Sequence, residues 1–114
     1  MISRKFRLKR NRIALTLKKG DLLSSDLFLI RYLSQKEDEH PHFSVITSLK
    51  LSKSAIKRNR IRRKIYEAVR LNMPENLPLY IVIIPKKNIL EVEYDSIEKD
   101  ISKIFKKLIN SPKT

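Results

Sequence analysis

Residues 79–84 constrain the fold of this chain more than any other segment. Their sequence, Leu-Tyr-Ile-Val-Ile-Ile, is a continuous apolar run that ends at Pro85. Six residues are too few for a core helix, and β-branched residues favour strands. Because an apolar run without polar alternation is typical of strands buried on both faces, the sequence predicts a central strand with other elements packed above and below it.

Two helices are predicted before this strand. Residues 9–19 predict a short helix, because Ile13 and Leu17 lie four positions apart. Gly20 follows directly, in the place of a left-handed C-terminal cap. Residues 53–72 predict a longer helix, and two prolines after it mark its exit.

Two further strands are predicted between these helices. Residues 26–33 and 43–49 are rich in aromatic and aliphatic side chains, which favour strands. The segment between them, 34–41, is polar, and we predict that it forms a hairpin-like loop.

The last predicted helix begins with Asp95 or Ser96 as its N-cap, since Asp95 and Glu98 have the spacing of a capping box. Its apolar stripe consists of Ile97, Ile101, Ile104, Phe105 and Leu108. The order of elements predicts a single α+β domain over residues 1–110, in which helices cover a small sheet, and a frayed tail at 111–114.

The basic residues are concentrated in two segments. The chain of 114 residues carries 26 lysines and arginines against 12 aspartates and glutamates, a formal charge of +14. Residues 1–20 carry eight basic side chains and no acid, and residues 50–72 carry nine basic side chains against Glu67 alone. Because concentrated like charges repel each other, this distribution favours a polyanionic partner.

Nucleic acid is the leading partner class, with an anionic membrane surface and a merely solvated basic face as alternatives. No apolar stretch of 18 or more residues is present, and the basic N-terminal segment is not followed by a signal-peptide core. The sequence therefore predicts neither a membrane-spanning nor a secreted protein. The absence of cysteine excludes disulfides and cysteine-ligated metal sites, and we predict a cytoplasmic protein.

The helix predicted at 53–72 has an apolar stripe and a basic face. At 100° per residue, the stripe consists of Ile61, Ile65, Ala68 and Val69. The basic face consists of Lys53, Lys57, Arg60 and Lys64, with Arg63 and Arg70 beside them. Like charges three and four positions apart destabilise an isolated helix by a few tenths of a kcal/mol per pair. A helix with this pattern indicates an anionic partner.

The sequence shows no pattern for bond cleavage by the protein itself. It has no phosphate-binding glycine loop, no metalloprotease motif and no carboxylate arrangement suited to two-metal catalysis. His40 and His42 lie in an acidic loop with Glu37, Asp38 and Glu39. We interpret this segment as a solvated loop, with a metal-ligand cluster as the alternative. We therefore predict no catalytic residue and no metal site in the protein.

Residues 50–68 resemble the signature of a known family. Their sequence, Lys-Leu-Ser-Lys-Ser-Ala-Ile-Lys-Arg-Asn-Arg-Ile-Arg-Arg-Lys-Ile-Tyr-Glu-Ala, resembles the arginine–asparagine–arginine signature of the bacterial ribonuclease P protein subunit. Shorter matches at residues 6–8, 19–20, 46–55 and 80–85 follow in the family's order. The resemblance covers nearly the whole chain, and the long signature is specific.

The resemblance implies a fold, a partner and an activity. The implied fold is α-β-β-β-α-β-α with a left-handed βαβ crossover, similar to the second domain of ribosomal protein S5. The implied partner is the catalytic RNA of ribonuclease P, which uses its own magnesium ions to remove the 5′ leader from precursor tRNA. The protein is then an accessory subunit of an endoribonuclease, with no firmly bound cofactor and with neither a membrane nor a small molecule as ligand.

The resemblance also implies two sets of functional residues. The surface that meets the catalytic RNA is expected to comprise Lys50, Lys53, Lys57, Arg58, Asn59, Arg60, Arg62, Arg63 and Lys64. A cleft for the single-stranded leader, between the sheet and the N-terminal helix, is expected to comprise Phe6, Ile13, Leu17, Phe28, Tyr32 and Phe43. For the three aromatic residues on the strands, packing in the core is the alternative.

Four positions depart from the family pattern. Leu49 stands where a lysine is often found, and Tyr66 stands where an arginine is common. Ile13 and Leu17 occupy places where the family usually presents aromatic side chains to the leader. Two other function classes also stay open: a structural RNA-binding protein of the ribosomal kind, and a small autonomous endoribonuclease that depends on His40 or on the second histidine, His42.

Overall fold

The computed structural model describes residues 4–110, which form one mixed sheet with helices on both faces. The elements are α1 (Arg10–Lys19), β1 (Asp21–Ser24), β2 (Phe28–Ser34), β3 (His42–Val45), α2 (Ala55–Asn72), β4 (Leu79–Pro85) and α3 (Tyr94–Asn110). Two short 3₁₀ turns lie at Arg4–Phe6 and Lys87–Glu91. The order α-β-β-β-α-β-α is thus confirmed, whereas the tail predicted at 111–114 lies outside the described residues.

The central position of β4 determines the topology of the sheet. The strand order is β1-β2-β4-β3, with β4 antiparallel to β2 and parallel to β3. Helix α2 connects the parallel pair β3 and β4. Six of the seven residues of β4 are buried, and Ile84 is half-buried. The prediction of a central strand covered on both faces is confirmed.

Alternation along β4 divides the apolar residues into two clusters. Ile81 and Ile83 belong to the main core, which β2, β3, α2 and α3 complete. Tyr80 and Val82 point to the opposite face, where they form a smaller cluster with Leu8. The side chains that pack around this smaller cluster are half-buried, namely Ile13, Leu15, Leu33, Ile46 and Ile84. The face beneath α1 is therefore less completely covered than the face beneath α2 and α3.

The outer edge of β3 forms hydrogen bonds with the N-terminal segment and with α2. Leu8 N–H donates to Phe43 O at 2.8 Å, and Arg7 forms a parallel bridge with the same residue. At the other end of β3, Val45 N–H donates to the Tyr66 hydroxyl at 3.2 Å. Tyr66 is buried in the main core.

The structure differs from the sequence predictions in the strands. The family resemblance implied three strands before α2, but the residue pattern alone did not predict β1, because four residues that are mostly exposed carry little periodic signal. The segment 34–41 is not a hairpin loop, because β4 lies between β2 and β3 in the sheet. β3 ends at Val45, four residues earlier than predicted.

Two predicted helix caps are also wrong. Gly20 has φ −74° and is extended, so it is not a left-handed cap. Its lack of a side chain permits a close approach instead, because a Cβ would lie 2.5 Å from Thr16 O and 2.8 Å from Tyr32 O. Helix α3 begins at Tyr94, which places Asp95 inside the first turn rather than at the N-cap.

Candidate nucleic-acid interface

The N-terminal half of α2 presents most of the predicted RNA-contacting residues. Ser54 caps the helix, and its hydroxyl accepts from Lys57 N–H at 3.2 Å. The predicted apolar stripe, which includes Ile61 and Ile65, is buried against the main core. Because that stripe faces inward, the basic face of the same helix is turned toward solvent.

The nine predicted RNA-contacting residues lie at the surface or are half-buried. Lys50, Lys53, Lys57, Asn59, Arg60 and Arg63 are exposed, and Arg58, Arg62 and Lys64 are half-buried. Within residues 4–110, none of these basic groups lies within 4.0 Å of a carboxylate oxygen. The ion pair that α2 does contain joins Arg70 to Glu67 near its C-terminal end, at 2.5 Å. The basic surface is therefore not neutralised by the acids of the part of the chain that the structure describes.

Two arginines of this surface are held in place by hydrogen bonds. Arg58 Nη1 donates to Ser52 O at 2.7 Å. Arg62 Nη1 donates to Asn59 Oδ1 at 2.8 Å, and Arg62 Nη2 contacts the Thr47 hydroxyl. A guanidinium has five N–H donors, so each of these side chains keeps donors for a phosphate. Asn59 thus acts, at least in part, by orienting a neighbouring arginine.

Three of the six residues predicted for the leader cleft do not line it. Phe28 and Phe43 are 0% exposed in the main core, where the Phe43 ring packs edge-on against Phe105 with centroids 5.6 Å apart. Tyr32 is half-buried and packs against the same core, on the face opposite α1. A nucleotide cannot stack on Phe28 or Phe43 without opening the core, and Tyr32 packs on the face away from α1, so none of the three lines a cleft between the sheet and the N-terminal helix.

The other three residues of the predicted cleft are more accessible. Ile13 is half-buried between α1 and the smaller cluster, and Leu17 is 38% exposed on the same helix. Phe6 is half-buried at the edge of the sheet, and its ring lies edge-on against His40 with centroids 5.0 Å apart. These residues do not form one aromatic surface.

Sequence reasoning missed an apolar row on the sheet face beside α1. Leu29 on β2 pairs with Ile84 on β4, and Ile46 N–H donates to Ile83 O at 2.9 Å, so Leu29, Ile84 and Ile46 lie side by side. All three are half-buried. A cavity of about 240 Å³ adjoins this row, and its lining includes Lys50 and Lys87. The alternation of residues along each strand indicates which side chains share a face. Without the strand order, however, the sequence does not show that these three residues are neighbours.

A second cavity, of about 230 Å³, lies at the other end of the same face. Its lining is mostly basic and comprises Arg4, Lys5, Arg7, Leu8, Lys9, Arg12, Glu37, His42 and Tyr80. The Tyr80 hydroxyl donates to Glu37, and Arg12 Nε lies 3.5 Å from Glu37 Oε1. Burial, together with this hydrogen bond, raises the pKa of Tyr80 to about 12. The hydrogen bond from Tyr80 is also the main cause that lowers the pKa of Glu37.

The departures from the family pattern have different structural consequences. Tyr66 is buried, and its hydroxyl accepts a hydrogen bond from the backbone of β3. It therefore contributes to the core rather than to the basic surface. Leu49 is exposed beside Lys50 and leaves one position of that surface uncharged.

Within the described helices, no segment is long and apolar enough to cross a membrane.

The fold and the surface together define a class, a small α+β protein with an unneutralised cationic helix beside a partly open sheet face. The family model for ribonuclease P matches residues 2–109. The chain belongs to the ribonuclease P protein family, and the resemblance of residues 50–68 is thereby confirmed.

Individual relatives agree with this assignment. The chain is 33% identical over 73 residues to the ribonuclease P protein component of Pseudomonas entomophila, a match that covers 64% of this chain and about half of the relative, 55%. Its fold is similar to that of a Staphylococcus aureus RNase P protein mutant with defective mRNA degradation activity, with TM-score 0.80, 24% identity and coverage of 90% and 86% of the two chains. The RNase P protein from Thermotoga maritima has TM-score 0.76 and 23% identity over 89% of this chain and 96% of that one.

Proposed function

We propose that this chain is the protein subunit of ribonuclease P and that α2 and the turn before it bind the catalytic RNA. The observation that carries the proposal is the basic surface at residues 50–64, which no carboxylate among residues 4–110 neutralises. Membership in the ribonuclease P family supports the RNA of ribonuclease P as this partner. The protein acts as an accessory subunit, and the RNA holds the magnesium ions and cleaves the bond.

Binding follows from the chemistry of the side chains. Arg58 and Arg62 are pre-oriented, so each offers a planar fork to a phosphate at low entropic cost. Lys53, Lys57 and Arg60 are exposed and adapt to the RNA backbone. Each neutralised phosphate contributes about −0.7 to −0.9 to the slope of log K against log salt.

The 5′ leader of precursor tRNA is proposed to lie on the sheet face beside α1. The row formed by Leu29, Ile46 and Ile84 offers apolar contact to bases, and Ile13 and Leu17 extend that surface along α1. Lys50 lies near one end of this face, and Arg12 lies at the other. Leader contact therefore depends on aliphatic side chains and phosphate pairing rather than on stacked aromatic rings.

The test is reconstitution of leader removal. The full chain is added to ribonuclease P RNA at low magnesium, and cleavage of precursor tRNA is followed. We expect the protein to stimulate cleavage, because it neutralises RNA phosphates that magnesium would otherwise screen. Binding without stimulation would leave only a structural RNA-binding role and would contradict the proposal, as would RNA cleavage by the protein alone that is lost in His40→Ala.

A charge-matched pair of variants tests the surface itself. Arg60→Ala with Arg63→Ala removes two exposed charges from α2, and Lys103→Ala with Lys106→Ala removes two exposed charges from α3. The first pair is expected to reduce the salt slope of RNA binding by about 1.4 to 1.8, and the second to leave it nearly unchanged. Equal losses in both pairs would show that only net charge matters. Arg58 is avoided because its guanidinium also holds Ser52 O.

A further inference from the structure

The basic cavity beside α1 contains a carboxylate. Five of the residues that line this cavity of about 230 Å³ are lysines or arginines, and Glu37 is the acidic one among the described lining residues. Its carboxylate accepts the hydrogen bond that the Tyr80 hydroxyl donates, and its Oε1 lies 3.5 Å from Arg12 Nε. A phosphate oxygen accepts from the same two kinds of donor, a hydroxyl and a guanidinium. Glu37 therefore occupies the place of an anionic ligand.

The two donors are held in position by packing. Tyr80 lies on the central strand β4, is 5% exposed and belongs to the cluster with Leu8 and Val82. Arg12 lies on α1, with its guanidinium carbon 5.8 Å from the centre of the Tyr80 ring. Donors that are already oriented bind an anion at a low entropic cost. They therefore stay in place whether the anion is Glu37 or a phosphate.

The start of α1 adds to the preference of this cavity for an anion. Lys9 lines the cavity and is the N-cap residue of α1, and its side chain has no oxygen to accept from the first N–H groups of the helix. The first turn of α1 contains no acidic residue. Because the N-terminus of a helix carries a partial positive charge, it favours a negative group nearby. The cavity therefore offers more positive charge than one carboxylate neutralises.

Glu37 can leave the cavity without disturbing the backbone around it. Its N–H donates to Gln35 Oε1 at 2.7 Å, and the buried Gln35 amide also donates to His40 O at 3.1 Å. These bonds hold the backbone of the loop and do not involve the Glu37 carboxylate. The Glu37 side chain is 46% exposed, so rotation about its own bonds carries the carboxylate into solvent. An incoming phosphate can then take its place.

We propose that Glu37 is an internal competitor of RNA for this cavity. A phosphate of single-stranded RNA binds between Arg12 and Tyr80 only after the carboxylate has moved out, so Glu37 lowers the affinity for RNA at this end of the sheet face. This role rests on the proposed placement of the precursor tRNA leader on that face. Glu37 is then the residue that limits how tightly the leader is held.

The test is the binding of a single-stranded RNA oligonucleotide of about eight nucleotides to the full chain, without the catalytic RNA. Glu37→Gln removes the charge and keeps the size of the side chain. We expect it to raise the affinity by about two- to fivefold, the range that corresponds to one exposed ion pair. Glu39→Gln is the matched control, because it makes the same change of net charge at an exposed residue of the same loop, outside the cavity lining. We expect the control to leave the affinity nearly unchanged.

A double-mutant cycle with Arg12→Ala separates the local contact from the general effect of charge. In the unaltered chain Arg12 is already paired with Glu37, so a phosphate gains little from it. Arg12→Ala is therefore expected to weaken oligonucleotide binding less in the unaltered chain than in the Glu37→Gln chain. Circular dichroism checks that each variant is folded, and Glu37→Ala replaces Glu37→Gln if that variant is not.

An equal gain of affinity in Glu37→Gln and in Glu39→Gln would overturn the proposal, because any acid of the loop would then have the same effect. So would an unchanged or lower affinity in Glu37→Gln, or an effect of Arg12→Ala that is the same in both chains. The assay uses neither the catalytic RNA nor tRNA. Its failure is therefore distinguishable from a failure of the reconstituted leader removal.

Discussion

Two tyrosines differ in what their buried hydroxyl groups contact. The Tyr66 hydroxyl accepts a hydrogen bond from Val45 N–H at 3.2 Å. The Tyr94 hydroxyl is buried and has no hydrogen-bond partner among the described residues. Burial also raises the pKa of Tyr94, so this hydroxyl stays protonated at neutral pH. The same substitution at these two positions therefore has opposite consequences.

We expect Tyr66→Phe to lower the free energy of unfolding by about 1–3 kcal/mol, because it leaves a buried N–H without an acceptor. Tyr94→Phe is expected to raise it by up to about 1 kcal/mol, because it removes a buried polar group that lacks a partner. Urea unfolding of both variants measures the difference, and each serves as the control for the other. A loss of stability in Tyr94→Phe equal to that in Tyr66→Phe would contradict the expectation.

At single positions, the sequence could predict which residues share a face of the sheet. It could not predict which of the two faces is left open to a ligand. Phe28 and Phe43 lie on strands whose residues alternate between the two faces of the sheet, and both point into the main core. The assignment of a face depends on β4 lying between β2 and β3, which is a property of distant residues. For the basic residues near Arg60 the sequence was sufficient, because a charged side chain on the polar side of a helix needs no tertiary information.

At the scale of elements, α2 begins despite a first turn that contains no acidic residue. A negative charge near the N-terminus of a helix is stabilising, and here Lys57 and Arg58 stand there instead. The hydrogen bond from Lys57 N–H to the Ser54 hydroxyl is thus an important contribution to the start of this helix.

Ser54→Ala is expected to lower the free energy of unfolding by about 1 kcal/mol, because it removes the N-cap. Ser96→Ala is the matched control, since Ser96 is exposed within the first turn of α3 and is not its cap. Urea unfolding compares the two variants. An equal loss of stability in both variants would mean that the N-cap hydrogen bond of α2 makes no contribution of its own to the free energy of unfolding.

The three helices and the central strand were predictable because their patterns are local. The stripe at Ile97, Ile101 and Ile104 repeats at helical spacing, and it is buried as predicted. The parallel pairing of β3 with β4 was not accessible in this way, since a crossover helix separates the two strands. The residue pattern did not show β1, because this strand is short and exposed at the edge of the sheet; only the family resemblance implied it.

At the scale of the whole molecule, repulsion among the basic side chains of residues 50–64 opposes folding of the free protein. The formal charge is +14, and among residues 4–110 no carboxylate oxygen lies within 4.0 Å of the basic groups at residues 50–64. Salt screens such repulsion, with a Debye length that falls from about 14 Å to about 4 Å between about 0.05 and 0.5 M. Stability should therefore depend on ionic strength.

We expect the free energy of unfolding to rise by on the order of 1 kcal/mol over that range of sodium chloride. The control is Arg60→Ala with Arg63→Ala, whose stability should rise less, because part of the repulsion has been removed. Urea unfolding at several salt concentrations measures both. A stability that falls with salt would show that attractive ion pairs dominate instead.

The arrangement around β3 has a consequence for the protein before it meets its RNA. An uncovered edge strand is a template on which another chain can add, and such addition leads to aggregates. Here the groups at the two ends of β3 are already engaged, by Leu8 at Phe43 and by Tyr66 at Val45. The free protein therefore has few unpaired backbone groups at this edge to which a strand of another chain could add. This protection of the edge helps to keep the protein from aggregating before it binds RNA.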